Sequence, residues 1–184
     1  MKKLSALILV LALLVSVIPA AYAANATPNT TTLTTTVPSA SYVLNIPADQ
    51  TVTFGETRTY IGNVTVTDSK NFAEGKNVDV TVEYAPFAAE AEEISTTIPY
   101  TLHQSTSSDN SGRTGILASG EKMTFKGKAD GTVDEKTKFS TGSATGNTME
   151  SLMVGIQSRA WGKALAGDYK STITFTSEIV AEKN

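Results

Sequence analysis

The chain of 184 residues contains no cysteine and a single histidine. Without cysteine it cannot form disulfides, thiolate metal sites, a thiol nucleophile or a lipid-modified lipoprotein terminus. A transition-metal site needs several nitrogen or sulfur ligands, which His103 alone cannot supply. The alternation around His103 places it on the polar face of a predicted edge strand, where a catalytic triad is not expected. We therefore expect a protein that is not an enzyme and that holds no cofactor or metal.

Carboxylates are the remaining groups that could carry chemistry. Calcium needs only oxygen ligands, and paired acids could serve a small hydrolase, so both alternatives stay open. No acidic stretch has the dense spacing of a known calcium loop, which favours ordinary solvated side chains. The candidates are Asp109 with Asn110, Asp130 with Asp134 and Glu135, and the cluster of Glu90, Glu92 and Glu93.

The first 23 residues have the pattern of a secretory signal peptide. Lys2 and Lys3 precede an apolar run from Leu4 to Ile18, and residues 21–23 (Ala-Tyr-Ala) fit the small-residue cleavage rule. The run is shorter than the roughly 20 residues that span a bilayer, and no second run follows. We expect cleavage before Ala24, no membrane span afterwards, and a secreted or cell-surface protein.

The charge of the chain is mildly acidic. It carries 15 basic and 18 acidic side chains, a net charge of −3, and loss of two leader lysines would make the balance more negative. This charge disfavours nucleic acid and anionic membranes as partners.

Residues 24–41 form a threonine-rich tract with proline near both ends. Such a segment buries too little to order itself alone, so a flexible linker is one interpretation. Leu33, Thr35 and Val37 would share one face of an extended strand, so the tract could instead add itself to the sheet edge of a second copy. Both interpretations remain open.

From residue 42 to residue 184, period-two patterns predict β-strands. In the clearest, Val78, Val80 and Val82 alternate with polar residues up to Tyr84. Stretches rich in Gly, Asn, Asp and Ser separate the runs, while Ala85 to Glu93 could form one or two helical turns. The pattern predicts an all-β domain over 42–184, a single antiparallel β-sandwich, immunoglobulin-like or jelly-roll, of about seven to nine strands.

A motif near the end of the chain is the most family-like feature. Gly167-Asp-Tyr169 precedes an alternating strand, and Ser171 stands where an antibody domain would have cysteine. The segment resembles the tyrosine corner of secreted bacterial immunoglobulin-like surface β-sandwich proteins, and is loosely similar to Gram-positive surface and fimbrial subunit domains. The resemblance implies that Gly167 and Tyr169 form a structural corner whose tyrosine hydroxyl bonds to nearby backbone.

Two functional hypotheses follow. The first is a non-catalytic secreted or cell-surface structural, adhesin-like protein, such as a fibre or pilus subunit, whose partner is itself or an extracellular protein. The alternative is a carbohydrate-binding module for an extracellular or cell-wall polysaccharide, in which Trp161 would stack on the glycan.

Overall fold

A computed structural model describes residues 33–109, 112, 114–139 and 145–182. This part of the chain contains twelve β-strands and one short helix, so the all-β prediction is confirmed, whereas the predicted seven to nine strands are too few. The elements are β1 (Ser41–Asn45), β2 (Arg58–Gly62), β3 (Thr65–Lys70), β4 (Lys76–Tyr84), β5 (Phe87–Ala89), β6 (Thr97–Ile98), β7 (Thr101–Ser105), β8 (Thr114–Leu117), β9 (Lys122–Phe125), β10 (Ser151–Gly155), α1 (Ser158–Trp161), β11 (Tyr169–Lys170) and β12 (Ile173–Ala181).

The strands form four antiparallel sheets. Their orders are β1-β3, β2-β10-β7-β8, β11-β5-β6 and β12-β4-β9. The longest pairing joins β4 to β12 in unbroken register from Tyr84 opposite Ile173 to Lys76 opposite Ala181. Most neighbours in a sheet are distant in sequence, so the fold depends on long-range pairing.

The core is built from the alternate, inward positions of these strands. Val78, Val80 and Val82 of β4 are fully buried, as the period-two pattern predicts, and β9 adds Met123 and Phe125 opposite them. The four-stranded sheet adds Leu102 of β7 and Leu152 of β10. Burial of a side chain of this size contributes about 1.5–3 kcal/mol, so the absence of disulfides is no obstacle to stability.

The excess of strands arises where glycine or proline divides a run. Alternation predicts one strand through Tyr60, Val64 and Val66, but Gly62 has φ of 117° and separates β2 from β3, which lie in different sheets. Only glycine adopts such a conformation without strain. Pro99 likewise separates β6, an edge strand, from β7, which lies between two neighbours.

Three further expectations near these strands are wrong. Residues 87–89, inside the stretch where helical turns were predicted, form β5. The alternation from about Asp168 to Val180 predicts one last strand, but the structure divides this run into β11 and β12. The same alternation places Ile179 on the inward face, yet it is 40% exposed near the end of β12.

The chain divides into two compact units, Met1–Thr36 and Val37–Asn184. The predicted leader and residues 24–32 lie outside the described residues. Residues 33–40 have no regular secondary structure, and Leu33 and Val37 are 91% and 70% exposed. No helix in the described part of the chain is long and apolar enough to cross a membrane.

Candidate functional site

Trp161 lies at a cavity of about 650 Å³, which we call the aromatic pocket. The Phe54 ring meets the Trp161 ring edge to face, with centroids 5.3 Å apart and planes at 63°. Phe54 is 75% exposed, and Leu165, on another wall of the pocket, is 56% exposed. Exposed apolar groups around one cavity are a feature of binding sites.

The Trp161 indole is held in a fixed position. Its Nε1 donates a hydrogen bond to the Glu56 carbonyl oxygen at 2.8 Å. A ligand in the aromatic pocket would therefore meet ring surface rather than the indole N–H group. Because the two rings are tilted, Phe54 and Trp161 do not form one flat platform, and each would contact a ligand separately.

Gly167 and Tyr169 lie where the chain turns into β11, on the wall of the aromatic pocket. The Tyr169 hydroxyl donates to the Leu165 carbonyl oxygen at 3.1 Å and shares a 2.9 Å hydrogen bond with Thr96 Oγ1. A Cβ atom on Gly167 would lie 2.8 Å from Ile94 Cδ1, so a side chain there would displace the end of the Ile94 side chain. The hydroxyl-to-backbone contact is the one that the tyrosine corner implies.

A second cavity, the edge groove, has a volume of about 390 Å³ and opens beside β12. Ile173 and Phe175 of β12 line it, together with the core residues Ile61 and Val154. Ile46, which is 52% exposed, also lines it. The lining of this cavity thus includes both core and exposed apolar side chains.

The predicted partner strand is not paired in the structure. Leu33, Thr35 and Val37 are exposed and belong to no strand. The structure brings together only some of the predicted site residues. Trp161, Gly167 and Tyr169 all line the aromatic pocket, whereas the residues of the predicted partner strand do not.

Phe54 is the main residue of the aromatic pocket that the sequence interpretation omitted. It lies in the connection between β1 and β2. Residues 51–54 (Thr-Val-Thr-Phe) alternate as a strand does, so the sequence pattern alone does not distinguish this exposed ring from a buried one.

His103 occupies an interior strand rather than the predicted edge. It is half-buried on β7, and its Nε2 shares a 2.7 Å hydrogen bond with Thr101 Oγ1. Burial, with a smaller effect of the Arg58 charge, lowers the pKa of His103 below its usual value of 6.5. The imidazole is therefore neutral at pH 7, and its nearest polar partner is a threonine hydroxyl.

Two of the acidic candidates, Asp130 and Asp134, have structural partners. The Asp130 carboxylate accepts hydrogen bonds from the Thr132 N–H and hydroxyl groups, which lower the pKa of Asp130. Asp134 forms an ion pair with Lys128 at 3.3 Å. Within the described ranges no group of three or more His, Asp or Glu side chains could hold a metal ion.

Comparison of the chain with protein-family models, with curated proteins and with solved structures gives no match.

Proposed function

We propose that this chain is an exported, non-catalytic surface protein whose sheets pack as an immunoglobulin-like or jelly-roll β-sandwich, and which assembles into fibres by strand addition. The observation that supports assembly is the edge of β12. This nine-residue strand pairs with β4 on one side, and no described strand pairs with its other side.

The composition of β12 makes this edge unusual. Edge strands are normally protected by lysine, proline, bulges or short length. β12 has one charged residue, Glu178, and its pairing with β4 shows no bulge. The unpaired backbone N–H and C=O groups of such an edge can pair with a further strand.

The edge groove supports assembly in a second way. It lies beside the inward face of β12, where Ile173 and Phe175 are half-buried rather than covered. A strand that added to β12 would project alternate side chains into this space. In a neighbouring copy, Leu33 and Val37 have the required spacing and are exposed.

Assembly is tested with the chain beginning at Ala24, examined by light scattering over a range of concentrations. We expect oligomers that grow with concentration and disappear in the double variant Leu33→Asp/Val37→Asp. The matched control is Thr34→Asp/Thr36→Asp, which adds the same charge on the opposite face of the strand and should still assemble. The proposal would be contradicted if the wild-type protein stays monomeric at all concentrations. It would also be contradicted if the Leu33→Asp/Val37→Asp protein forms the same oligomers as the wild type.

The aromatic pocket favours a second candidate function, carbohydrate binding. Phe54 is the sharper test than Trp161, because Phe54 is more exposed and Trp161 also bonds to backbone. On a glycan array, Phe54→Ala should abolish binding, whereas Ile116→Ala, which removes another exposed apolar side chain on β8, should not. Binding that is indifferent to Phe54 would exclude the pocket as a sugar site.

A further inference from the structure

Arg159 and Lys163 lie four residues apart and line a third cavity of about 230 Å³, the basic pocket. Trp161 and Leu165, which alternate with them along the chain, line the aromatic pocket instead. The segment from α1 onward therefore presents two different surfaces, one apolar and one cationic.

The two cations have no structural task in the described part of the chain. Lys122, Lys126, Lys128 and Lys136 all form ion pairs with carboxylates, but within the described residues no ion pair or hydrogen bond is found for the side chains of Arg159 and Lys163. No acidic side chain lines the basic pocket. Because the protein is acidic overall, two unpaired cations at one cavity are not explained by a general excess of positive charge.

The remaining lining is neutral and polar. Thr97 and Thr101 contribute hydroxyl groups and Gln157 an amide, and all three side chains are exposed. Gly155 forms part of the pocket, and a Cβ atom there would lie 3.0 Å from His103 Nε2. The absence of a side chain at residue 155 thus keeps this part of the cavity open.

A third cation lies close by. Arg58 is directly opposite Gly155 in the pairing of β2 with β10, so opposite residues project from the same face of the sheet. Thr101 is the other neighbour of Gly155 in that row. Arg159 and Lys163 thus share the basic pocket with Gly155 and Thr101, while Arg58 stands next to Gly155 on the neighbouring strand, outside the lining of the pocket.

We propose that the basic pocket binds the carboxylate or sulfate group of an anionic sugar. Cations with several N–H donors hold such groups by charge-assisted hydrogen bonds, and the guanidinium of Arg159 can do so with two parallel bonds. The threonine hydroxyls and the Gln157 amide match sugar hydroxyls as donors and acceptors. The cavity is smaller than the roughly 300–1,000 Å³ of drug-sized sites, which suits one charged sugar unit.

The test measures binding of defined polymers to the chain beginning at Ala24, by calorimetry at low and physiological salt. The probes are polygalacturonate for carboxylate, dextran sulfate for sulfate, neutral dextran and poly-glutamate. We expect binding to one or both anionic sugars, none to neutral dextran, and weaker binding at higher salt. The preferred probe identifies the anionic group.

Three variants locate the site. Arg159→Gln and Lys163→Gln should each weaken binding about tenfold or more, because each removes one charge-assisted contact. Lys70→Gln is the matched control, since Lys70 is an exposed lysine on β3 that lies outside the basic pocket. Arg159→Lys should lose part of the affinity, because the charge remains while the paired donors are lost.

If Lys70→Gln lowers the affinity as much as Arg159→Gln and Lys163→Gln do, net charge alone governs binding and the proposal is overturned. Poly-glutamate binding as tight as the sugars would overturn it too, as would no binding at low salt. The assay is repeated on Leu33→Asp/Val37→Asp, so that a failure of fibre assembly does not affect its outcome.

Discussion

The Tyr42 hydroxyl donates a hydrogen bond to Ser177 Oγ at 2.8 Å, joining two residues that are 135 positions apart in the sequence. Tyr42 lies on β1 and Ser177 in the middle of β12. This bond ties the first strand of the chain to the strand whose outer edge is unpaired. The Tyr42 ring also contacts the buried Phe72 ring, with centroids 6.2 Å apart.

Tyr42→Phe should lower the free energy of unfolding by about 1 kcal/mol, because it removes one hydrogen bond and keeps the ring. Ser177→Ala should cost a similar amount, and the double variant should cost less than the two together. Urea unfolding of the four proteins measures this coupling. Strictly additive effects would show that the two hydroxyl groups do not interact.

Gly127→Ala should destabilise the protein by about 1–3 kcal/mol, the range for an overpacked site. A Cβ atom on Gly127 would lie 2.0 Å from the Lys76 carbonyl oxygen, and the Gly127 N–H also donates to Asn77 Oδ1 at 2.9 Å. The matched control is Gly162→Ala, where the nearest atoms are 3.8 Å away. Thermal unfolding compares the two, and equal midpoints would refute the steric argument.

Stability should fall as the pH is lowered through about 6.5, because His103 has a lowered pKa in the folded state. Between the folded and unfolded pKa values the unfolded chain binds more protons, so protonation favours unfolding. His103→Gln should flatten the part of the stability profile between pH 7.5 and 5.5 while leaving the more acidic carboxylate region. A slope that persists unchanged in His103→Gln would assign it to other groups.

Tyr169→Phe should cost about 1 kcal/mol by removing the hydrogen bond to the Leu165 carbonyl oxygen. Because Leu165 and Tyr169 both line the aromatic pocket, the variant should also weaken any ligand bound there. Thr96→Ala is the control, since it removes the other partner of the hydroxyl and keeps the corner bond. If Thr96→Ala lowers the free energy of unfolding more than Tyr169→Phe does, the hydrogen bond from Tyr169 to the Leu165 carbonyl oxygen is not the main stabilising contact.

Local alternation was enough to identify the strands that lie in one sheet with one face buried. Val78, Val80 and Val82 show this for β4, and Met123 with Phe125 for β9. The pattern could not reveal where a run passes from one sheet to another. At Gly62 that change depends on a backbone rotation, which leaves the alternation of the side chains almost unaltered.

The four-stranded sheet, β2-β10-β7-β8, shows a second limit of prediction from alternation. Met153 is 2% exposed, yet it lies outside the main core, and it faces His103 and Tyr60 across the β10 pairings. Alternation assigns one face of a strand to the interior, so it cannot predict burial on the other face. For the same reason, alternation predicts His103 to lie on the exposed face of an edge strand, whereas it is half-buried on an interior strand.

The candidate sites were only partly accessible to sequence reasoning. Trp161, Gly167 and Tyr169 could be selected because the residue types and the corner motif have local meaning. The basic pocket could not, because Thr101, Gly155 and Arg159 meet only through the pairing of β7 with β10. Long-range register, rather than any motif, creates that cavity.

The position of β12 also governs when the protein can fold. β4 ends at Tyr84, but its long partner does not begin until Ile173. During synthesis β4 can pair with β9 once residues 122–125 are made, but its longest ladder, with β12, must wait for almost all the intervening chain. Because contacts between residues so distant in sequence form only after a large loop-closure cost, we expect this ladder to be among the last parts of the fold to form.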